Sequence, residues 1–323
     1  MAVLTADETM RILITDGLET DAIASLKKVH QVDVAELDAK QLLDQIPAYD
    51  ALIVRGRTKV TKDVLAKAGH LRVVGRAGVG VDNIDVNEAT ARKVLVVNAP
   101  SASTVSVAEL AIGHMISWCR FLPQADKSVK EGKWEKKQFE GHEIYGKTLG
   151  LIGSGRIGAE VAKRAQAFGM TVIAFDPYLP PEVAQKINVA LVDKETVLRQ
   201  SDFISIHAAL TPETRGMIGA RDLAMMKKTA VLVNCARGEI VQEAALADAL
   251  KTGALAGAAL DVYEKEPPVG SPLLSAPHIV FTPHLGASTH EAQTRAGAVI
   301  ADQVLKALEG KKPDFLVNPK VYG

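Results

Sequence analysis

Short runs of apolar residues recur along the chain, separated by stretches in which apolar residues return at helical spacing. Ten runs read as strands: RILITD (11–16), DALIVR (50–55), RVVGR (72–76), VLVVN (94–98), TLGLIG (148–153), TVIAFD (171–176), FISIHA (203–208), AVLVNCA (230–236), GAALDV (257–262) and HIVFTP (278–283). Strands apolar almost throughout are buried on both faces, as in a parallel sheet covered by helices on either side. The fold class is therefore α/β, with right-handed crossovers. Ten strands are many for one sheet, and 323 residues accommodate two domains. The break is placed after Asn98, at Pro100 and the cluster SASTVS. The run VAELAIGHMISWCRFL then predicts a long helix, N-capped within residues 101–106 and ended by Pro123. Residues 1–98 with 288–323 form one expected domain, to which a closing helix from Ser288 returns, and residues 99–287 form the other.

Composition narrows the partners. Lys plus Arg and Asp plus Glu both number 38, so no global field draws in nucleic acid or an anionic membrane. An anionic ligand must be met by a local basic cluster, and aromatics at 4% offer little for base stacking. The two cysteines, Cys119 and Cys235, lie far apart, with neither metal spacing nor a disulfide framework, so no metal is expected. The opening MAVLTADETMRILIT lacks the features of a secretory leader, and no apolar run reaches membrane length. A cytoplasmic protein is expected.

Two glycine-rich turns follow strands. In GLIGSGRIGAEVAKRAQAFG, Gly153 permits a tight turn, Gly155 lets backbone approach a pyrophosphate, and Gly158 allows close helix–sheet packing. The helix N-terminus offers free N–H groups to phosphates. Asp176 closes the next strand, 18 residues after Gly158, where a carboxylate accepts from ribose hydroxyls and repels a 2′-phosphate. The cofactor read from these residues is NAD rather than NADP. The second turn, GRAGVGVDNID, has no acid at the end of its following strand and reads as a nest of N–H groups, around Gly78 and Val79, facing a small carboxylate.

Three polar features sit where open α/β sheets bind ligands. Arg237 directly follows the strand AVLVNCA and is placed to fork a carboxylate. ALDVYEKEPP carries Glu264, read as solvated, and Glu266, held extended by Pro267. FTPHLGAS brings His284 past a strand end, and Gly286-Ala287 lets backbone pass close to a nicotinamide. Hydride transfer to a ketone needs one proton at oxygen, and histidine, with an ordinary pKa of about 6.5, suits that task. A carboxylate on its second nitrogen fixes the tautomer.

The set G-S-G-R-I-G, N-C-A-R-G, A-L-D-V-Y-E-K-E-P-P and P-H-L-G-A-S-T resembles the D-isomer-specific 2-hydroxyacid dehydrogenases over nearly the whole chain. That resemblance implies a flavodoxin-like substrate domain and a Rossmann NAD-binding domain. It implies that Arg237 binds substrate, that Glu266 pairs with His284, and that His284 is the acid/base. It also implies cofactor contacts from Arg156, Ile157, His207 and Ala208, and from Cys235, Ala236 and Asp261. LIVRGRTKVT, NAPSASTVSVAEL and GKWEKKQFEG resemble segments of members that act on a phosphorylated acid. Arg55, Arg57 and Lys136 would then supply three cations for a dianionic phosphate, with Lys136 reaching the partner subunit's site in a dimer or dimer of dimers. Substrate is expected between the domains, with closure about residues 98–103 and 285–288 excluding water. A reductase of glyoxylate, hydroxypyruvate or another 2-keto acid needs the same triad without the phosphate clamp. An NAD-sensing binding protein like the family's corepressors is the alternative from another class. Ala209 stands where the family often has proline. The chain stops at NPKVYG, where longer members carry a regulatory extension, so feedback through such a domain is not expected.

Overall fold

Alternation along each strand decides which side chains face which layer. In the computed structural model, which describes residues 9–323, twelve strands form two sheets, and every pairing within them is parallel. The reading of the first eight residues lies outside the described residues.

The first sheet is built from β1 (Arg11–Ile14), β2 (Gln31–Val34), β3 (Ala51–Val54), β4 (Val73–Arg76) and β5 (Leu95–Asn98), in the order β2-β1-β3-β4-β5. That is the flavodoxin-like order, with its switch point between β1 and β3. Successive residues part to opposite faces: Leu13, Leu52, Val54 and Val74 enter one core, and Ile12, Ile14, Ile53 and Val73 the other.

The second sheet comprises β6 (Thr148–Ile152), β7 (Thr171–Phe175), β8 (Ala190–Leu191), β9 (Phe203–Ile206), β10 (Val231–Asn234), β11 (Gly257–Leu260) and β12 (Ile279–Phe281). Its order, β12-β11-β10-β9-β6-β7-β8, is the doubly wound Rossmann order with one further strand beyond β11, and it switches between β6 and β9. Leu149, Leu151, Val231 and Val233 fill one face; Ile152, Ile204, Ile206 and Leu232 fill the other.

The sequence pattern found ten of these strands and missed β2 and β8. Both are sheet edges. An edge strand has one ladder neighbour and need not be apolar throughout: QVDV is partly exposed and β8 is two residues long.

The contact-dense units are Met1–Ser103 with Ala287–Gly323, and Thr104–Gly286. The helix α1 (Thr104–Cys119) opens the second unit. It ends at Cys119, and not at Pro123 as the sequence suggested. Phe121 takes a left-handed conformation (φ +52°), and Pro123 lies in the first turn of a new helix, Leu122–Lys130. Proline is tolerated there because first-turn N–H groups have no intrahelical partner. The helix α2 (Arg156–Ala167) follows β6, and α3 (His290–Leu308), capped by Thr289, closes the chain. Along α3 a stripe of Ile300, Val304 and Leu308 is buried against the first sheet. Burying each such side chain contributes about 1.5–3 kcal/mol. A Cβ on Gly75 of β4 would stand 2.8 Å from Val304, so this glycine lets α3 lie close. No single helix among the described residues is long and apolar enough to cross a membrane.

Candidate active site

The turn after β6 is shaped by its glycines. Gly153 has φ +87°, and a Cβ there would lie 2.8 Å from the Ala208 backbone nitrogen and 3.0 Å from its Cα. The turn therefore presses on the end of β9 at His207 and Ala208. A Cβ on Gly158 would meet the Gly153 carbonyl at 2.6 Å. Gly155 has open space instead, with nothing within 4 Å of where a Cβ would stand, and as N-cap of α2 it places no side chain over the free first-turn N–H groups. Arg156 and Ile157 begin that helix. Asp176, at the end of β7, accepts from the Ser154 N–H (2.7 Å) and the Tyr178 N–H (2.9 Å), which ties the two strand ends together. Ser154 Oγ and His207 Nδ1 are buried and have no hydrogen-bond partner among the described residues. Burial lowers the His207 pKa to about 4, so its ring is neutral near neutral pH. Unpaired polar atoms beside an open helix N-terminus and a carboxylate at the neighbouring strand end fit a dinucleotide.

Further along the same sheet, loops from β10, β11 and β12 bring the polar residues together. Asn234 Nδ2 donates to the Arg237 carbonyl (2.9 Å), and Arg237 Nη1 donates to the Ala236 carbonyl (2.7 Å). Cys235 is buried, and its thiol is pushed well above the usual range by burial and by the charge of Asp261. A Cβ on Gly238 would sit 1.9 Å from the Tyr263 carbonyl carbon, so the loops after β10 and β11 run in contact. The N–H of Tyr263 donates to Glu266 Oε1 (3.3 Å), and Glu266 Oε2 lies 2.7 Å from His284 Nδ1. His284 occupies the left-handed region (φ +55°), with its side chain about half exposed. Asp261 is fully buried; its carboxylate accepts from Thr282, Leu285 and Gly286, which makes it the organiser of the His284 loop. Ala287 follows, exposed.

Burial resists ionisation of Glu266, but the hydrogen bond and charge of His284, the Tyr263 N–H and the Arg237 charge together outweigh it and hold its carboxyl below the usual range. The stabilisation this provides is present above the unfolded carboxyl pKa of about 4.3 and is lost as pH falls through the lower folded value. Between the unfolded value and the lower folded one, the slope of unfolding free energy against pH is therefore expected to be smaller in Glu266→Gln. Parallel slopes in the two proteins would contradict the pairing.

The expected phosphate residues fare differently. Arg55, after β3, is held by Glu19 through two contacts (2.6 and 2.9 Å), so its charge is already matched. Arg57 is half exposed; its Nε lies 3.3 Å from Asp16, whose side chain is 3% exposed, and its Nη2 donates to the Thr15 carbonyl. Asp16 also accepts from the N–H groups of Arg55 and Thr58, while Asn83 donates to their carbonyls. Gly78, with φ +155°, donates its N–H to the Arg76 carbonyl, and Asn98 donates to the Val79 carbonyl (2.6 Å). The Gly78 donor is thus committed within the turn rather than offered to a ligand. Lys136 lies in the other unit, exposed on the short turn Lys136–Phe139. Glu264, read as a solvated charge, accepts from the Glu243 N–H (2.9 Å) and so caps a helix start. Among the described residues no cluster of three metal-ligating side chains is present.

Comparison with known proteins decides the family. The model of the D-isomer specific 2-hydroxyacid dehydrogenase NAD binding domain matches residues 112–286. The chain belongs to the D-isomer specific 2-hydroxyacid dehydrogenases. Within that family it is 53% identical over 311 residues to a D-3-phosphoglycerate dehydrogenase of Methanocaldococcus jannaschii, covering 96% of this chain and 59% of that protein. It is 47% identical over 300 residues to the one from Bacillus subtilis, covering 93% of this chain and 57% of the relative. The chain thus spans less than two thirds of the length of these relatives. Among solved structures, the TT0316 protein from Thermus thermophilus superposes with a TM-score of 0.88 at 34% identity, over 95% of this chain and all of that one. A glyoxylate reductase from Paecilomyes thermophila gives 0.87 at 30% identity, over 96% and 98% of the two chains.

Three residues that brace the loops carrying Glu266 and His284 give no sign of that role in sequence: Tyr263, Thr282 and His114. Tyr263 donates its hydroxyl to the Thr282 carbonyl (2.8 Å) while its N–H holds Glu266. His114 reads in sequence as one polar position in an apolar helix, and only the packing of α1 brings it to Thr282. No spacing rule would have found it.

Proposed function

We propose that the chain oxidises 3-phospho-D-glycerate to 3-phosphohydroxypyruvate, the entry step of serine biosynthesis. Bound NAD supplies the hydride acceptor. With His284 Nδ1 facing Glu266, Nε2 is the nitrogen left to take the hydroxyl proton on oxidation and return it on reduction. Glu266 holds the ring in that tautomer, and Arg237 forks the substrate carboxylate. The observation that carries the reading is the 2.7 Å contact between His284 and Glu266, in a chain about half identical to D-3-phosphoglycerate dehydrogenases.

The phosphate is assigned to Arg57, anchored by buried Asp16, with the partner subunit's loop around residue 136 contributing charge and Arg55, whose charge Glu19 offsets, beside it. One observation favours a second reading: Glu19 neutralises Arg55, which suits a reductase of glyoxylate, hydroxypyruvate or another unphosphorylated 2-keto acid. The deciding measurement is kcat/KM with NAD or NADH on matched acids with and without phosphate. Arg57→Gln is expected to raise KM for the phosphorylated acid by about 10- to 100-fold, the worth of one charge-assisted contact, and to spare glyoxylate and hydroxypyruvate. Equal losses on all substrates would favour the second reading.

The proposal includes a homodimer or dimer of dimers. Trp134 is 84% exposed and Tyr145 73% exposed, with Leu122 and Val129 also uncovered, more apolar surface on one segment than a monomer usually leaves in water. Sedimentation velocity should show an assembly that Trp134→Glu disrupts, and a wild-type monomer at micromolar concentration would refute it. Two buried free cysteines, Cys119 and Cys235, suit a reducing cytoplasm, which cell fractionation can check.

A further inference from the structure

Behind the loop that carries His284 stands a second tier of side chains. Thr282 Oγ1 donates to Asp261 Oδ1 (2.6 Å), which also accepts the Leu285 N–H (2.6 Å); Asp261 Oδ2 accepts the Gly286 N–H (2.8 Å). The N–H of His284 itself donates to the Asp261 carbonyl (2.9 Å). One buried residue thus fixes the backbone at His284 and at the two residues that follow it.

A hydroxyl carries a single hydrogen, and that of Thr282 is used on Asp261. The Thr282 oxygen, 3.0 Å from His114 Nε2, can then only accept. His114 must therefore carry its proton on Nε2. It is 2% exposed on α1, which packs against both β11 and β12. Burial lowers its pKa, with Asp261 acting in the opposite sense, so the ring remains a neutral donor. The chain of donors runs in one direction, from His114 through Thr282 to Asp261.

We propose that His114 and Thr282 are positioning residues that, through Asp261, hold the loop presenting His284 to the substrate. The proposal deepens the function proposed above and rests on it. A buried histidine with a satisfied hydrogen bond is often only structural, so the test must separate holding the loop from holding the fold.

The test pairs histidine NMR with kinetics on the full chain. In protein labelled with nitrogen-15 at histidine, His114 is expected as a neutral ring protonated on Nε2; protonation on Nδ1 overturns the proposal. In Thr282→Val, the ring signals of His284 should move, and unchanged signals overturn it. These readouts need no turnover, so an inactive wild type would count against the proposed function while the relay is still decided. Thr282→Val and His114→Leu should each lower kcat about 10- to 100-fold, the scale of a misplaced catalytic group, with KM for NAD little changed. Thr282→Ser and His114→Gln, which keep the hydroxyl and a donor near the Nε2 position, should restore most of the loss. The double variant Thr282→Val/His114→Leu should be no slower than the worse single one, because both break the same chain. Losses that multiply, or that vanish once corrected for the folded fraction, overturn the proposal.

Discussion

His284→Asn is expected to lower kcat by about 10²- to 10⁴-fold, the range for losing a general acid/base, while leaving NAD binding and thermal stability close to wild type. Asparagine is the informative replacement because position 284 has φ +55°, a region it tolerates better than most residues. Its side-chain amide can stand where Nδ1 stands and keep the contact with Glu266, so what is lost is the titrating nitrogen. The side chain is about half exposed, and its removal opens no cavity. Steady-state rates in both directions, with cofactor affinity measured separately, check the outcome. A variant within about tenfold of wild-type kcat would remove His284 from the proton-handling role.

A second large effect is expected at the glycine turn, where two alanine substitutions should differ in kind. In Gly153→Ala the new methyl would fall within 3.0 Å of backbone atoms of Ala208, at φ +87°. Left-handed strain of about 1–2 kcal/mol adds to the clash, so both Tm and NAD affinity should fall. In Gly155→Ala the methyl meets no atom of the described residues within 4 Å and the backbone is unstrained, so Tm should hold. NAD affinity should still fall by about 10-fold or more, because the methyl occupies the space through which backbone approaches a pyrophosphate. Calorimetric titration with NAD beside thermal unfolding reads both. Unchanged NAD affinity in Gly155→Ala would place the dinucleotide elsewhere.

The eight central strands, the edges β5 and β12 and the two-sheet α/β class were legible because those runs are apolar nearly throughout, as burial on both faces demands of the central ones. The edges β2 and β8 were not, since one exposed flank relaxes that demand. Gly153, Gly158 and Asp176 could be read from spacing, because backbone sterics and strand length dictate where each must stand. The pairing of Glu266 with His284 was an implication of family resemblance, and the 2.7 Å contact supplies its geometry. What RGRT does not announce is that Glu19 and Asp16 meet Arg55 and Arg57, because those acids come from the loop after β1 and reach the loop after β3 only once the two strands pair.

By itself, then, the sequence determined the periodic pattern, the turn chemistry and the residue types at strand ends, which are properties of neighbours along the chain. The tertiary structure alone decided which charges are already matched, which donors are spent and what stands behind His284. Those depend on side chains far apart in sequence, such as His114 and Thr282, being packed to hydrogen-bonding distance, and no local pattern encodes that distance.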